Sequence, residues 1–335
     1  VEHGIAERVL LPRIADLAGD KQTAQKFRAK ADALKNRVQQ WLWNPKREFF
    51  LIRFKNDEDC DPKNWPGQKI KANTFIYEDG PYAGSDEGRE LIGYVPWQFN
   101  MLDAGRGFES AWKFLMDPGY FFASFGPSFV GRNDPLFKIV DRCCWWSGQS
   151  WPYANSQVLT ALANLLHNYE QRVITRNDYT HLLHIYARTH RKNRRTYIAE
   201  AAHPDTGSWD GHDSYNHSEH YFHSSFTDLV ITGLMGLKPR ADDVVEIDPL
   251  APRDWPYFAL EDVPYHGRKL SIVWDKDGTR YGRGAGLRVL ADGKEIASLN
   301  ALGKVTAKLP PPVAPTAPRE SETMNFAVNN DGEYY

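Results

Sequence analysis

Helical periodicity dominates the first part of the chain and ends at Lys238-Pro239, and this change limits the possible folds more than any other feature. Between residues 24 and 41, apolar side chains recur in steps of three and four, which places one apolar stripe along a helix. Gly19-Asp20 separates this helix from an earlier one, so the two are predicted to form a helical hairpin. Further helices are predicted near Phe108 to Met116, from about Asn155 to Tyr169, from an N-cap near Asp178, and around Ser218 to Leu237.

The chain after Lys238-Pro239 consists of short β-type runs that are separated by Gly, Asp and Pro. "ADGKE" predicts a hairpin turn between two of these runs. The predicted fold is therefore mainly α, with a helical domain at 1–238 and a small β-sandwich-like module at 239–309. A Pro-rich linker is predicted at 310–322, followed at 323–335 by the start of a truncated further module. Within the helical domain, "REFFLIRF" (47–54) favours a short strand.

The composition is that of a globular protein and argues against several kinds of function. The formal net charge is -2, which gives no support to binding of nucleic acid or of an anionic membrane. No apolar run approaches the length of a membrane span. The spacing of Cys60, Cys143 and Cys144 is not that of a metal site, and no nucleotide-binding motif is present. We therefore expect no metal, no cofactor, and neither a nucleic-acid nor a membrane partner.

One aromatic segment, "CCWWSGQSWPYANSQVLTALANLL", places Trp146, Gln149 and Trp151 just before a predicted helix. Tryptophan faces pack against the C–H faces of pyranose rings, and amide side chains hydrogen-bond to hydroxyls. These three residues are therefore candidate sugar contacts. The alternative is that the tryptophans fill the core, as most tryptophans do. The packing residues of this segment are expected to be Cys143, Cys144, Val158, Leu162 and Leu165.

A second aromatic segment, "ELIGYVPWQFNMLD", combines Tyr94, Trp97 and Gln98. The same reasoning makes these residues candidate sugar contacts. The segment can equally be a helix with a proline near its start.

A lone acid, Glu200, lies in "YIAEAAHPDTGSW", between a β-type run and a turn. A carboxylate in apolar surroundings has a shifted pKa, as a general acid or base requires, although a structurally paired acid is the commoner case. The segment "GHDSYNHSEHYFHSSF" contains four histidines, at positions 212, 217, 220 and 223. The spacing of the last three spreads them around a helix, unlike a zinc-binding pair. We interpret His217 and His220 as hydrogen-bonding groups for a polar ligand.

These segments occur in the order seen in a known group of enzymes. "WWSGQSWPYANSQVLTALANLL" and "YIAEAAHPDTGSW" resemble motifs of glycoside hydrolase family 63 and of the related mannosylglycerate-hydrolase-like glycosidases. The resemblance covers about Val1 to Leu237 and implies an α/α toroid of six helical hairpins. The β region is similar to β-sandwich modules that are appended to such toroids, and the terminal segment resembles the start of a sugar-binding module.

The resemblance also implies site roles and an activity. It places Glu200 where the family has its general base, and Trp146, Gln149 and Trp151 at a sugar subsite. The implied activity is hydrolysis of glycosidic bonds in an oligo- or polysaccharide, with inversion at the anomeric carbon, and we expect a secreted or periplasmic protein although no signal sequence is visible.

This chain departs from the family pattern at two points. The family's Arg-Gly-Pro is replaced by Ser147-Gly148-Gln149, so the sugar is expected to differ. The family's general acid is an aspartate in a motif that has no match between Val1 and Gly19, so it is expected upstream of Val1. Two other functions therefore stay open: a non-catalytic carbohydrate-binding protein, and a toroidal polysaccharide lyase whose base is a tyrosine or histidine, for which Tyr215, His217 and His220 are candidates.

Overall fold

The computed structural model describes residues 2–140, 145–212 and 225–312, and the side chains from residue 10 onward. Five groups of predictions fall wholly or mostly outside these ranges: the ligand-binding roles of His217 and His220, the lyase base at Tyr215, the packing roles of Cys143 and Cys144, the linker at 310–322, and the module start at 323–335.

The chain opens with the predicted helical hairpin. Helix α1 spans Glu2–Leu17 and helix α2 spans Lys21–Trp41. Gly19 turns the chain with φ +76°, and the carboxylate of Asp20 accepts a hydrogen bond from the backbone N–H of Thr23 at 3.0 Å. That bond satisfies one of the free amides at the start of α2. Ala24 and Val38 on the apolar stripe of α2 are buried.

Residues 43–140 contain little regular helix. The predicted strand at 47–54 is reduced to β2 (Phe49–Phe50), which pairs with β1 (Trp43–Asn44). The predicted helix near Phe108 is a 3-10 helix over Phe108–Phe114. A short hairpin of β3 (Glu58–Asp59) and β4 (Lys69–Ile70) and a single turn, α3 (Val95–Gln98), complete this part. Large aromatic rings fill its core and fix loops that lack a continuous backbone ladder.

Two long helices form the second hairpin. Helix α4 spans Pro152–Asn168 and helix α5 spans Arg176–Thr189. Val158, Leu162 and Leu165 of α4 are buried, which confirms their predicted packing role.

The predicted N-cap of the second of these helices was wrong. Thr175 is the N-cap of α5, and the carboxylate of Asp178 reaches back to accept a hydrogen bond from the Thr175 N–H at 2.8 Å. This reciprocal capping arrangement places the acid at the third helical position, where it still offsets the partial positive charge of the helix start. A small hairpin, β5 (Arg191–Lys192) with β6 (Arg195–Thr196), follows α5.

The described part of the last predicted helix is short and irregular. It consists of α6 (Phe226–Asp228) and a π-helical segment, Leu229–Leu234. The phenol of Tyr179 donates a hydrogen bond to the carbonyl of Leu229 at 2.8 Å. A Cβ on Gly233 would lie 2.7 Å from Cζ of Tyr179, so glycine allows this ring to approach the wider turn.

An antiparallel β module follows the helical part. One sheet has four strands in the order β12-β11-β10-β9, and the other has three in the order β13-β8-β7. The strands are β7 (Leu237–Lys238), β8 (Val244–Ile247), β9 (Tyr257–Tyr265), β10 (Arg268–Asp275), β11 (Gly286–Ala291), β12 (Lys294–Leu299) and β13 (Val305–Lys308). The predicted "ADGKE" turn joins β11 to β12, with Asp292 and Gly293 both at positive φ as a tight hairpin requires. Helical hairpins followed by an antiparallel β module are thus the observed architecture.

Candidate functional site

Four chain segments that are distant in sequence are joined by backbone hydrogen bonds into one ribbon. Glu90 bridges Val130, the Phe129 N–H donates to the Gln149 carbonyl at 3.0 Å, and Ser150 bridges Ala202. We call residues 89–91, 128–131, 147–150 and 202 the site ribbon. It brings the predicted aromatic loop beside the segment that carries the predicted acid.

The aromatic loop presents two indoles, Trp145 and Trp146, to solvent and buries a third, Trp151. Trp146 and Trp151 stack with ring centroids 3.8 Å apart and planes inclined by 11°. Trp151 is 0% exposed, whereas Trp146 is 44% exposed. The rings of Trp146 and Phe129 form an edge-to-face contact. Trp146 thus has the accessible ring that sugar stacking requires, and Trp151 supports it from below.

The Ser-Gly-Gln turn is fastened to the segment 136–140. Ser147 Oγ donates to the Leu136 carbonyl and accepts from the Lys138 N–H, each at 2.8 Å. Gln149 is 1% exposed, and its Nε2 donates to the Val140 carbonyl. His212 Nε2 donates to the same carbonyl at 3.0 Å. Gln149 therefore organises the loop in this structure and does not lie on an open surface.

Glu200 lies in a buried, extended segment. It is 9% exposed, its neighbours Ala199 and Ala201 are fully buried, and Ala202 exchanges two backbone hydrogen bonds of 2.9 Å with Ser150. Neighbouring strands lie about 5 Å apart, so the acid and the aromatic loop belong to the same region of the molecule.

The turn after Glu200 is held tightly by the loop 120–132. The Phe125 N–H donates to the Pro204 carbonyl at 2.8 Å, and Arg132 forms an ion pair with Asp205. Gly207 has φ +71°, and a Cβ there would lie 2.6 Å from Cε1 of Phe125 and closer still to Cδ1. Only glycine fits both the backbone conformation and the ring contact.

The second aromatic segment occupies the core. Tyr94 and Trp97 have no exposed surface, and the Tyr94 hydroxyl donates to the Ala111 carbonyl at 3.0 Å. Gln98 is half-buried, and Asn164 Nδ2 donates to its carbonyl at 2.9 Å. A ligand has no access to the rings of Tyr94 and Trp97, so this geometry makes them packing residues and not sugar contacts.

One acid of the site ribbon, Glu90, is missing from the residues that the sequence suggested. It is half-buried, and burial together with the nearby charge of Asp134 raises its pKa to about 7. Asp134 is itself buried and accepts hydrogen bonds from the Tyr77 hydroxyl at 2.7 Å and from the N–H groups of Gly88 and Leu136, each at 2.8 Å. The sequence gives no local sign of this, because Asp134 lies far from Glu90 along the chain.

Two negative findings concern the described residues only. In these ranges, no group of three or more His, Cys, Asp or Glu side chains is placed to hold a metal ion. No helix among them is both long and apolar enough to span a membrane.

Two solved structures are similar to parts of this chain. The solved structure of a protein named "Sialidase" is 36% identical over 91% of this chain, with a TM-score of 0.79, and this chain covers 26% of its length. An uncharacterized conserved protein from Thermus thermophilus is 13% identical over 68% of this chain and 46% of its own, with a TM-score of 0.41.

Two family models match the two parts of the chain. The glycosyl hydrolase family 65 C-terminal domain matches residues 237–297, where the β module lies. The mannosylglycerate hydrolase MGH1-like glycoside hydrolase domain matches residues 5–224. The resemblance drawn from the sequence is thereby confirmed, and the chain belongs to the mannosylglycerate hydrolase MGH1-like family of glycoside hydrolases.

Proposed function

We propose that this protein hydrolyses glycosidic bonds of an oligo- or polysaccharide with inversion, and that Glu200 is its general base. The observation that carries the proposal is the pairing of Ser150 with Ala202, which sets the buried Glu200 segment beside the loop that carries the exposed Trp146. A carboxylate next to an aromatic platform is the arrangement that glycoside hydrolysis uses. We also propose that the helical hairpins are part of an α/α toroid of six hairpins, in a secreted or periplasmic enzyme.

The proposed reaction needs two carboxyl groups with different tasks. The ionised carboxylate of Glu200 takes a proton from a water molecule, which attacks the anomeric carbon as the glycosidic bond breaks. A carboxylic acid on the other side of the bond protonates the leaving oxygen, and family resemblance assigns that task to an aspartate outside this chain. The indole face of Trp146 would lie against the C–H face of a sugar and orient it for attack.

The test is a charge-neutral substitution, Glu200→Gln, in the full-length protein. We expect kcat to fall by about 10²–10⁴-fold while affinity for substrate changes little, because the amide keeps the shape but cannot accept the proton. Glu170→Gln is the matched control, since Glu170 is an exposed acid at the end of α4 and should leave kcat unchanged. Near-normal turnover in the Glu200 variant would refute the assignment.

Product analysis of the full-length wild-type protein distinguishes hydrolysis from the other two functions. An inverting hydrolase releases a product whose anomeric configuration is opposite to that of the substrate, which NMR detects immediately after cleavage. A wild-type protein that binds sugars without releasing any product would instead be a carbohydrate-binding protein. Formation of an unsaturated, ultraviolet-absorbing uronate would identify a lyase.

A further inference from the structure

The carboxyl group of Glu90 has no protein partner within the part of the chain that the structure describes. Its side chain makes no hydrogen bond and no ion pair with any described residue, although it is half-buried. Asp275, a carboxylate that is almost fully buried, instead accepts three backbone N–H bonds, from Gly278, Arg280 and Tyr281. Because polar groups that are removed from bulk water normally have partners, an unpartnered carboxyl that is only partly exposed points to a ligand or to solvent.

The charges around Glu90 favour its neutral form. Asp134 faces it and, together with burial, raises the pKa of Glu90; Asp134 itself accepts hydrogen bonds from Tyr77, Gly88 and Leu136. The phenol of Tyr77 also faces Glu90 and is itself un-ionised, since burial raises its pKa. Two nearby carboxyl groups are not easily ionised together, so Glu90 carries the proton of the pair.

The adjacent cation, Arg89, does not compensate this effect. Its guanidinium bonds to the Glu87 carboxylate at 3.1 Å and to the Arg47 carbonyl at 2.8 Å, and it lies over the ring of Phe114. Side chains alternate along an extended segment, and both Arg89 and Leu91 are buried toward the core. Glu90 therefore projects from the opposite side of the ribbon to Arg89.

Position on the site ribbon links this acid to the proposed active site. Glu90 bridges Val130, and the N–H of Val130 donates to the carbonyl of Ser147 in the aromatic loop at 2.9 Å. The same loop continues through Ser150 to Ala202, two residues beyond Glu200. One continuous hydrogen-bonded unit thus carries the unpartnered acid, the exposed indole of Trp146 and the neighbour of the proposed base.

We propose that Glu90 is a second ligand-contacting carboxyl of this site, whose neutral form donates a hydrogen bond to an oxygen atom of the bound sugar. The proposal rests on the site being a carbohydrate site, as argued above. A neutral carboxylic acid acts here as an amide side chain does, with one donor and one acceptor. An ionised Glu90 has no proton to donate, so the contact is lost as the pH rises through neutrality.

The test measures sugar binding and not turnover, so that it is separate from the role of Glu200. The full-length Glu200→Gln protein is titrated with the p-nitrophenyl glycosides of α- and β-mannose and of α- and β-glucose, using isothermal titration calorimetry. Between about pH 6 and pH 8, the neutral fraction of an acid with a pKa near 7 falls about tenfold, and the affinity should fall by a similar factor.

Two substitutions in the same background decide the outcome. Glu90→Gln keeps a neutral donor, so its affinity should match that of the parent at the lower pH and stay flat as pH rises. Glu90→Ala removes the contact and should bind about tenfold more weakly at the lower pH. Thermal melting of both variants checks that they are folded.

Several results would overturn the proposal. These are an unchanged pH dependence in Glu90→Gln, parental affinity at the lower pH in Glu90→Ala, or a parent protein that binds none of the four glycosides. Hydrolysis of the same compounds by the wild type is assayed separately. A wild type that binds with the expected pH dependence but never cleaves would reject the proposed reaction and leave Glu90 as a binding residue.

Discussion

Substitution of Gly207 by alanine should destabilise the turn that follows Glu200. At φ +71°, alanine is in the left-handed conformation, which costs about 1–2 kcal/mol. The new Cβ would also lie 2.6 Å from Cε1 of Phe125, and overpacking of this kind costs about 1–3 kcal/mol. Together the two effects predict a loss of roughly 2–5 kcal/mol in the free energy of unfolding.

A matched variant separates the backbone cost from the steric cost. Gly105 has φ +72°, and a Cβ there would meet no atom within 4 Å. Gly105→Ala should therefore lose only the backbone part, about 1–2 kcal/mol. Urea denaturation of the full-length proteins, followed by tryptophan fluorescence, measures both losses.

A double-mutant cycle tests whether the ring of Phe125 causes the steric cost of Gly207→Ala. If the ring produces the steric cost, Phe125→Ala should recover about 1–3 kcal/mol of the Gly207→Ala loss, seen as a coupling free energy between the two changes. Equal losses for Gly207→Ala and Gly105→Ala, with no coupling to Phe125, would refute this reasoning. Turnover should fall at least tenfold in Gly207→Ala, because small displacements of a catalytic group are costly.

Two further predictions concern the sugar platform and the junction with the β module. Trp146→Ala should weaken sugar binding by about 1–3 kcal/mol in calorimetry. The variant should lose little folding stability apart from the contribution of the stacking between Trp146 and Trp151. Unchanged affinity would show that Trp146 is not part of the site. His167 shares a 2.6 Å contact with Lys238, and burial together with that cation lowers its pKa below the usual 6.5. The unfolded chain then binds more protons than the folded one, so the free energy of unfolding should fall as the pH drops below about 6.5. Denaturation curves of His167→Gln should show a weaker dependence of that free energy on pH. An identical pH dependence would contradict the assignment.

The helical stripes were predictable from the sequence because they depend on local periodicity alone. Val158, Leu162 and Leu165 repeat on one face of a helix, and the structure buries all three. The two hairpin residues Asp292 and Gly293 were equally clear, since a tight turn requires positive φ at both positions. In these cases a single stretch of chain contains all the information that the structure uses.

The burial of aromatic residues was not predictable in this way. Trp146 and Trp151 lie in the same short loop, yet one is exposed and the other is enclosed. Tyr94 and Trp97 are residue types that are common in sugar sites. They nevertheless pack in the core, because rings from distant segments such as Trp112 surround them. Their exposure depends on tertiary packing, about which composition contains no information. The raised pKa of Glu90 depends likewise on Asp134, a residue of a different loop.

The site ribbon also has a consequence for how the protein reaches its native state. Its bridges join residue 90 to residue 130 and residue 150 to residue 202, whereas the helical hairpins join neighbours along the chain. Closing such long loops costs more entropy than forming a hairpin, so contacts of high sequence separation form late in folding. Enzymatic competence should therefore appear after most of the helical signal during refolding, and activity is a more demanding measure of native structure than circular dichroism.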